Sequence, residues 1–531
     1  MALKGYLNLV LHAHLPYVRH PESEEYIEER WLFEAISETY IPLLIYFKKL
    51  VEENVQFRLT MNISPPLITM LKDDLLQKRY LRYLIERIWL ARKEMYRTKN
   101  DTNKDINDLA QYYFYKFKEF YNVYKREYNC DLVDAFKHFQ DIGVLEIIAC
   151  PATHGFLPLL NVTPNAVRAQ ISNGVQVYKE AFGRQPNGMW LSECAYIPEV
   201  ESALNEFGIK YIILETHGIT NADPTPVYGT LSPIISPNGV SAFGRDLESS
   251  KQVWSSICGY PGDPHYREFY KDIGYESEWE YIKPFVSKSG HRVDTGIKYY
   301  KITGKTNDKQ IYKPDEAMAV AEMQADHFIS SRINQIESAA PNMVIPPVVT
   351  CPYDAELYGH WWFEGPYWLY VLFKKIHYNQ DTFKLITPSE YLSLHPNIQE
   401  CKPAISTWGA HGYNEVWINE GNDYIYRHLH HAAERMTYLA NVKKQPTELE
   451  RRALNQCTRE LLLAQSSDWP FIITMNTMVE YAHKRVKDHV GRFNALADMI
   501  DKNEINEEYL ENLEYKDKIF PNVDYSIFST N

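Results

Sequence analysis

"YLNLVLHAH", residues 6–14, is an apolar run that ends in two histidines. Continuous apolar runs of this kind are typical of parallel strands that are covered on both faces. Six further runs share the pattern: "FRLTMNIS" (57–64), "VLEIIACPATH" (144–154), "GMWLSE" (188–193), "YIILETHG" (211–218), "PVVTCPYD" (347–354) and "FKLITPSEY" (383–391). Helical patterns separate several of them. We therefore predict an α/β fold whose seven strands form a closed or nearly closed (β/α) barrel, with an open doubly wound sheet as the alternative.

Two long segments interrupt this alternation. Residues 72–130 are charged, helical in pattern and far longer than an ordinary connection, which predicts a helical insertion domain. Residues 236–310 are rich in Gly, Pro, Tyr and Ser, and we expect them to form loops and hairpins over one face of the barrel.

The strand pattern ends near residue 420, and amphipathic helical patterns follow. Thr447 and Glu450 have the spacing of a capping box at the start of one of these helices. The predicted domains are the catalytic (β/α)7 barrel (1–71 and 131–420), the helical insertion (72–130) and a C-terminal helical domain (421–531).

Composition narrows the class of protein. The 531 residues carry a formal net charge of -13, which argues against a nucleic-acid partner because such proteins cluster positive charge. The chain contains 40 Tyr, 22 Phe and 11 Trp. Flat rings with polar edges suit surfaces that hold sugars, although a tyrosine-rich core explains the same composition.

The hydropathy pattern and the cysteines indicate the cellular environment of the protein. No run of about 18 apolar residues occurs, so we expect no membrane-spanning helix and no membrane partner. The cysteines form no CxxC pair and are odd in number, which favours reduced thiols and a cytoplasmic protein. They are Cys130, Cys150, Cys194, Cys258, Cys351, Cys401 and Cys457.

Residues able to move protons end most of the predicted strands. They are His12, His14, His154, Glu193, His217 (just past its strand) and Asp354. Each could be a structural histidine or a helix cap when taken alone. Because the carboxyl ends of parallel barrel strands meet on one rim, several together predict an active site there.

The acidic residues point to one chemistry. Glu is seldom buried without a partner, so Glu193 at the end of an apolar run predicts a catalytic carboxylate. One Glu and one Asp facing each other across a pocket are the minimum apparatus for cleaving a glycosidic bond. Asp354 and Glu356 fall on one side of their strand, so either could be the acid by pattern alone. The following pair, Trp361 and Trp362, fits core packing as well as sugar binding.

Five motifs together resemble one family. They are "HAHLPY" (12–17), "ATHGFLPLL" (152–160), "GMWLSECAY" (188–196), "YDAELYGHWWFEGP" (353–366) and "WGAHGYNEVWIN" (408–419). Their order is similar to that of glycoside hydrolase family 57, and within it to the α-glucan branching-enzyme subgroup. Three more segments extend the likeness into the loops and the helical domain: "FGRDLESSKQVWSS" (243–256), "GYPGDPHYREFYKDIGY" (259–275) and "AQSSDWPF" (464–471).

The resemblance implies a retaining mechanism on a (β/α)7 barrel that acts on α-1,4-glucans such as amylose and glycogen without a metal or other cofactor. It implies that Glu193 is the nucleophile and Asp354 the general acid/base, with carboxyl groups about 5–5.5 Å apart. It also places further residues around the substrate: His12, His14 and His154 at the reacting sugar, Trp254, Trp408 and Trp417 as stacking platforms, and Arg245, Gly262, Trp408 and Asp468 as binding residues.

One departure from the subgroup affects the expected products. Branching members carry a long loop with a tyrosine that helps to shield the glycosyl-enzyme from water. Here the connection from Glu193 to Arg245 is shorter, and the surroundings of Tyr228 do not match that loop. Because exclusion of water decides how the intermediate partitions, we expect substantial hydrolysis. A predominantly α-amylase-like hydrolase with little branching is the alternative.

Two functions from other classes compete with this hypothesis. His12, His14, His154 and Asp354 could bind zinc, as in metal-dependent sugar hydrolases or deacetylases, but the Asp-rich motif expected beside the first strand is missing. A non-catalytic glucan-binding protein would have lost a catalytic carboxylate, whereas Glu193 and Asp354 are both present.

Overall fold

The computed structural model describes residues 3–255, 259–286, 290–306 and 308–530. Its strands are β1 (Gly5–Ala13), β2 (Leu59–Ile63), β3 (Leu145–Ile148), β4 (Gly188–Met189), β5 (Tyr211–Leu214), β6 (Ile234–Ile235), β7 (Ser241–Gly244), β8 (Val348–Asp354), β9 (Phe383–Leu385) and β10 (Gln399–Glu400).

Seven of these strands close into a parallel barrel. One sheet has the order β3-β2-β1-β8, and a second contains β4, β5 and β7 side by side. Parallel bridges join the two sheets at both edges, between Ala149 and Met189 and between Arg245 and Thr350. The Asp246 N–H donates to the Thr350 carbonyl at 2.9 Å, which completes the ring at β7 and β8. The predicted (β/α)7 barrel is therefore confirmed.

The identity of one barrel strand was predicted wrongly. β9 is a strand, but it pairs with the first residues of β1 and lies outside the ring. Its predicted place is taken by β7, which lies inside the region 236–310 that was expected to form loops and hairpins. The four residues "SAFG" of β7 contain too few apolar side chains to produce a recognisable run.

Helices cover the outside of the barrel, as parallel connections require. They are Glu29–Ala35, Ile41–Glu52, Pro65–Leu71, Leu132–Asp141, Leu157–Leu160, Pro164–Phe182, Val200–Glu206, Thr216–Thr220, Leu247–Trp254, Pro314–Ala339, Gly365–Tyr378 and Pro388–Leu394. Two short helices, Ile273–Glu276 and Trp279–Ile282, lie in the segment 236–310.

The predicted helical insertion contains two long helices, Asp74–Arg97 and Lys104–Asn122, which pack against each other. The Asp73 carboxylate caps the first helix by accepting from two backbone N–H groups. The helical insertion also contacts the segment 236–310: Tyr299 Oη donates to Glu94 Oε2 at 2.7 Å.

The C-terminal region is helical, with helices Tyr424–Val442, Glu448–Ala464, Asp468–Met475, Val479–Lys502 and Glu507–Lys516. The capping box is confirmed: Glu450 N–H donates to Thr447 Oγ1, and Thr447 N–H donates to Glu450 Oε2 at 2.8 Å. The boundaries of the three domains stay predictions.

The core contains many aromatic side chains, so tyrosines such as Tyr80 and Tyr124 account for part of the unusual composition. Six cysteines are buried and free, and Cys258 lies outside the described residues. Within the described ranges, no helix is long and apolar enough to cross a membrane. The cytoplasmic location stays a prediction.

Candidate active site

A cavity of about 750 Å³ lies at the carboxyl ends of the barrel strands. It is lined by ten of the predicted site residues: His12, His14, His154, Glu193, Arg245, Trp254, Asp354, Trp408, Trp417 and Asp468. The sequence motifs, which are spread over more than four hundred residues, therefore converge on one site.

Two candidate residues lie elsewhere. Gly262, inside the described range 259–286, does not line the cavity. It is exposed, whereas the neighbouring Tyr260 is buried against Trp362 and Trp368. His217 is also absent from the cavity walls as described. Its Nε2 lies 2.9 Å from the Gly412 carbonyl oxygen, a contact that supports a loop.

Glu193 enters the cavity through an unusual backbone turn. It follows β4 in the turn Ser192–Cys194, with φ 63° and ψ 24°, in the left-handed region that non-glycine residues seldom adopt. Such a conformation costs on the order of 1 kcal/mol and is found most often at functional sites. The Trp408 N–H donates to the Glu193 carbonyl at 3.0 Å and fixes the turn.

The Glu193 carboxylate has a donor on each oxygen. Trp408 Nε1–H donates to Oε2 at 2.7 Å, and Ser467 Oγ–H donates to Oε1 at 3.2 Å. The side chain is only 14% exposed. Burial raises the pKa of Glu193 to about 7, against the opposing effect of the Trp408 hydrogen bond. This carboxyl group can therefore be ionised near neutral pH while remaining poorly hydrated.

Asp354, the last residue of β8, lies in register with His12 of β1. Burial, reinforced by the charges of Glu356 and Glu193, raises the pKa of Asp354 well above its usual value. Two carboxyl groups whose surroundings favour different protonation states are the usual basis for pairing an acid with a nucleophile. Asp354 is suited to hold a proton when Glu193 has lost its own.

Glu356 also lines the cavity, although the strand ends before it, at Asp354. Its Oε1 accepts from the Tyr40 hydroxyl and, at 3.3 Å, from the His14 N–H. Burial raises the pKa of Glu356 to about 6. Two bonds from fixed donors hold this carboxylate against the protein, which favours Asp354 as the acid.

The three histidines form a stack beside Glu193. The His14 and His154 ring centroids are 4.0 Å apart, and those of His12 and His154 are 4.9 Å apart. The His12 ring also stacks on Trp190, with ring centroids 4.6 Å apart. Burial lowers the pKa of His12 and of His154 well below the usual value. Burial would lower the pKa of His14, but the Asp468 carboxylate, whose Oδ2 lies 3.0 Å from His14 Nε2, raises it together with the charges of Glu193 and Glu356.

The stack does not have the geometry of a zinc site. A zinc site needs ligand atoms that converge on one point, whereas the nitrogens of stacked rings lie in nearly parallel planes, and His14 Nε2 is already engaged by Asp468. Across the described part of the chain, the one group whose ligand atoms could surround a cation is Glu460, His489 and Asp517, in the C-terminal helical region.

The tryptophans differ in what they offer a ligand. The Trp408 ring packs edge-to-face with Trp190, and the carbon of the Arg245 guanidinium is 5.6 Å from the Trp408 ring centroid. Trp254 is 37% exposed, whereas Trp417 is 1% exposed and stacked on Phe156. Trp417 therefore presents little more than an edge to the cavity.

Sequence reasoning left the role of Trp361 open and missed Ser467. Trp361 is half exposed, lines the cavity and stacks on Phe269, whereas Trp362 is buried in the core. Ser467 lies inside the motif "AQSSDWPF", but only Asp468 was selected from it. A serine hydroxyl gives no pattern that distinguishes a site residue from a helix cap.

Comparison with known proteins agrees with this geometry. The family model "Glycosyl hydrolase family 57" matches residues 8–332, and "1,4-alpha-glucan branching enzyme, C-terminal" matches residues 428–528. A 1,4-alpha-glucan branching enzyme of Thermococcus kodakarensis is 34% identical over 98% of this chain and 78% of its own length.

Two solved structures are similar over their whole length. The alpha-amylase AmyC of Thermotoga maritima is 43% identical with a TM-score of 0.93, covering 100% of both chains. A branching enzyme of Pyrococcus horikoshii is 32% identical with a TM-score of 0.89, covering 100% of this chain and 97% of its own. The chain, with its paired carboxyl groups at the rim of a (β/α)7 barrel, belongs to glycosyl hydrolase family 57.

Proposed function

We propose that this protein is a retaining α-1,4-glucan-active enzyme of the branching-enzyme type, acting on amylose- or glycogen-like chains with substantial hydrolysis. The observation that carries the proposal is the placement of Glu193 and Asp354 on one cavity, where burial raises the pKa of Glu193 to about 7 and that of Asp354 well above its usual value.

The reaction takes two displacement steps. Glu193 attacks the anomeric carbon while Asp354 gives its proton to the glycosidic oxygen, so the leaving glucan departs with a new hydroxyl group. The Asp354 carboxylate then takes a proton from water or from a sugar hydroxyl. The oxygen so activated attacks the anomeric carbon and releases Glu193.

The remaining lining residues have roles suited to a sugar. His12 and His154 are neutral, and the pair of His14 with Asp468 offers charged partners for hydroxyl groups. The half-buried Trp408 ring, which contacts Trp190 and Arg245, can carry the apolar face of a glucose unit.

Access of water supports the hydrolytic part of the proposal. Residues 194–244, all of which the structure describes, contribute no side chain to the walls of the cavity. Tyr228 instead lines a separate cavity and accepts a hydrogen bond from the Val344 N–H at 3.2 Å. That none of the tyrosines of this connection lines the cavity supports the expectation that water reaches the glycosyl-enzyme.

Products from amylose test the proposal. Hydrolysis creates a reducing end at each cleavage, whereas branching creates an α-1,6 linkage without a net gain of reducing ends. We expect new reducing ends to outnumber new α-1,6 linkages, with both absent in Glu193→Gln. Reducing-sugar assays run beside NMR of the anomeric protons measure the ratio. If α-1,6 linkages formed the majority of the products, the expectation of substantial hydrolysis would be wrong, while the proposed action on α-1,4-glucans would stand.

A predominantly α-amylase-like activity is the second candidate. The same open cavity favours it, and so does the likeness to the alpha-amylase of Thermotoga maritima over the full length of both chains. Undetectable α-1,6 linkages, with reducing ends rising throughout, would select this candidate over the first.

The pH dependence follows from the two carboxyl groups. Burial raises the pKa of Glu193 to about 7, and Glu193 must be ionised to attack. Activity should therefore rise as pH increases through about 7, and fall again only when Asp354, whose pKa lies well above its usual value, loses its proton. A profile of kcat/KM against pH on maltooligosaccharides measures both limbs. Full activity at pH 5 would contradict this prediction.

A further inference from the structure

The segment Ser466–Asp468 reaches the barrel rim from the C-terminal helices. Its backbone is fixed to the end of the third barrel unit: the Ser467 N–H donates to the His154 carbonyl at 3.0 Å, and Ser466 forms an antiparallel bridge with Gly155. Gln170 Nε2 donates to Gln465 Oε1 at 3.0 Å and anchors the preceding residue. The position of the segment is thus set by the barrel.

The Ser467 hydroxyl lies between two groups of the site. Its Oγ is 3.2 Å from Glu193 Oε1 and 2.8 Å from His154 Nδ1, and the residue is buried. An ionised carboxylate can only accept, so the single hydroxyl proton goes to Glu193. The hydroxyl oxygen must then accept from His154 Nδ1–H, which also sets the tautomer of that neutral imidazole.

We infer that Ser467 is a positioning residue that keeps the Glu193 carboxylate ionised and correctly oriented for attack. Trp408 and Ser467 donate to different oxygens, so together they fix the rotation of the carboxylate plane. The same donors stabilise Glu193 as the leaving group when the glycosyl-enzyme breaks down. The inference rests on the proposed function for its meaning in turnover, but the contact itself can be tested without turnover.

Several groups near Glu193 can titrate, and the hydroxyl cannot. The titratable groups that face Glu193 are His14, His154, Asp354, Asp468 and the thiols of Cys150 and Cys194. Removing the Ser467 hydroxyl changes no net charge, but it takes away both the donor to Glu193 Oε1 and the acceptor of His154 Nδ1–H. A variant that keeps the hydroxyl therefore separates the loss of these two bonds from the other effects of a substitution.

The kinetic experiment compares Ser467→Ala with Ser467→Thr, which keeps the hydroxyl. A hydrogen bond to a charged group corresponds to about a tenfold change or more in equilibrium, or about one pKa unit. We expect the acidic limb of kcat/KM to move upward by about one unit in Ser467→Ala, and activity at pH 6 to fall about tenfold. Ser467→Thr should restore most of both.

Thr458→Ala is the matched control, because this residue is buried in the same helical region. Its hydroxyl donates to the Leu454 carbonyl of its own helix at 3.1 Å and makes one long contact with Met436 of a neighbouring helix. It should leave the pH profile unchanged. A uniform loss of activity in Ser467→Ala, with the acidic limb unmoved, would overturn the inference, since a purely structural role predicts that result.

A second readout needs no substrate. Carbon-13 labelling of glutamate Cδ lets NMR follow the Glu193 carboxyl through its titration, with the resonance assigned by its loss in Glu193→Gln. We expect a higher pKa in Ser467→Ala than in wild type and Ser467→Thr. Equal pKa values in all three would overturn the inference. A wild-type protein that does not turn over α-glucans would instead refute the proposed function, while the titration still decides the role of Ser467.

Discussion

Glu193→Gln is expected to lower kcat on amylose by at least ~10⁴-fold, the range found when a catalytic nucleophile is removed. The amide keeps the volume of the side chain and an oxygen that can accept from Trp408 or Ser467, so the site should keep its shape. What it lacks is the ability to form a glycosyl ester. Initial rates of reducing-end release, measured to the detection limit, check this prediction.

The stability of the same variant serves as its folding control. The pKa of Glu193 is raised to about 7 in the folded protein, above its usual value of 4.5. Because the folded protein holds this proton more tightly than the unfolded chain does, the contribution of Glu193 to stability is complete below its pKa in the unfolded chain. It is lost as pH rises through about 7. We therefore expect the melting temperature of Glu193→Gln to equal or exceed that of wild type at pH 8, with a smaller difference at pH 4. A variant that melts far below wild type at pH 8 would make its inactivity uninformative.

Azide rescue distinguishes a nucleophile from a residue that only binds substrate. Glu193→Gly opens space beside the anomeric carbon, and azide can enter as an external nucleophile. With an activated aryl α-maltooligoside, we expect a product of inverted configuration, the β-glycosyl azide. Absence of azide rescue, together with residual activity that gives retained products, would show that another group carries out the attack.

Asp354→Asn is expected to lower the turnover of amylose by about 10³-fold, within the range of general acid catalysis. The cause is the loss of the proton that the buried carboxyl group gives to the glycosidic oxygen. Because a nitrophenolate leaves without protonation, the first step on an aryl glycoside should be much less affected. Comparison of kcat/KM on the two substrates therefore measures the acid role directly.

Glu356→Gln is the matched control for Asp354→Asn. Glu356 lines the same cavity, but its Oε1 accepts from the Tyr40 hydroxyl and the His14 N–H. We expect its replacement to affect amylose and the aryl glycoside by similar factors. If Glu356→Gln showed the leaving-group dependence and Asp354→Asn did not, the roles of the two carboxyl groups would have to be exchanged.

The sequence alone was sufficient for the barrel and for most of the residues on its rim. Buried parallel strands require continuous apolar runs, and the carboxyl ends of such strands meet at one edge. A polar residue at the end of an apolar run, such as His12, Glu193 or Asp354, is therefore visible in one dimension. The same argument gave Glu193 and left Asp354 and Glu356 as alternatives for the acid, between which the family resemblance chose Asp354.

Short or irregular elements were not visible in this way. The four residues of β7 complete the barrel through pairing with β5 and a bridge to β8, although their own pattern is weak. In the pair Trp361 and Trp362, only the local chain path decides which ring lines the cavity and which packs in the core. Gly262 carried a motif and nevertheless lies outside the cavity, exposed beside the buried Tyr260.

The sequence by itself thus determined the α/β class and the rim, because these depend on the periodicity of apolar residues, and the resemblance of its motifs to one family singled out the barrel and the pair Glu193 and Asp354. The tertiary structure decided how those groups behave. The left-handed turn at Glu193 is held by the Trp408 backbone N–H. Ser467, which donates a hydrogen bond to the Glu193 carboxylate, lies 274 positions away along the chain. Burial and hydrogen bonds from such distant segments set the pKa of each carboxyl group, and no local pattern encodes a contact between residues so far apart.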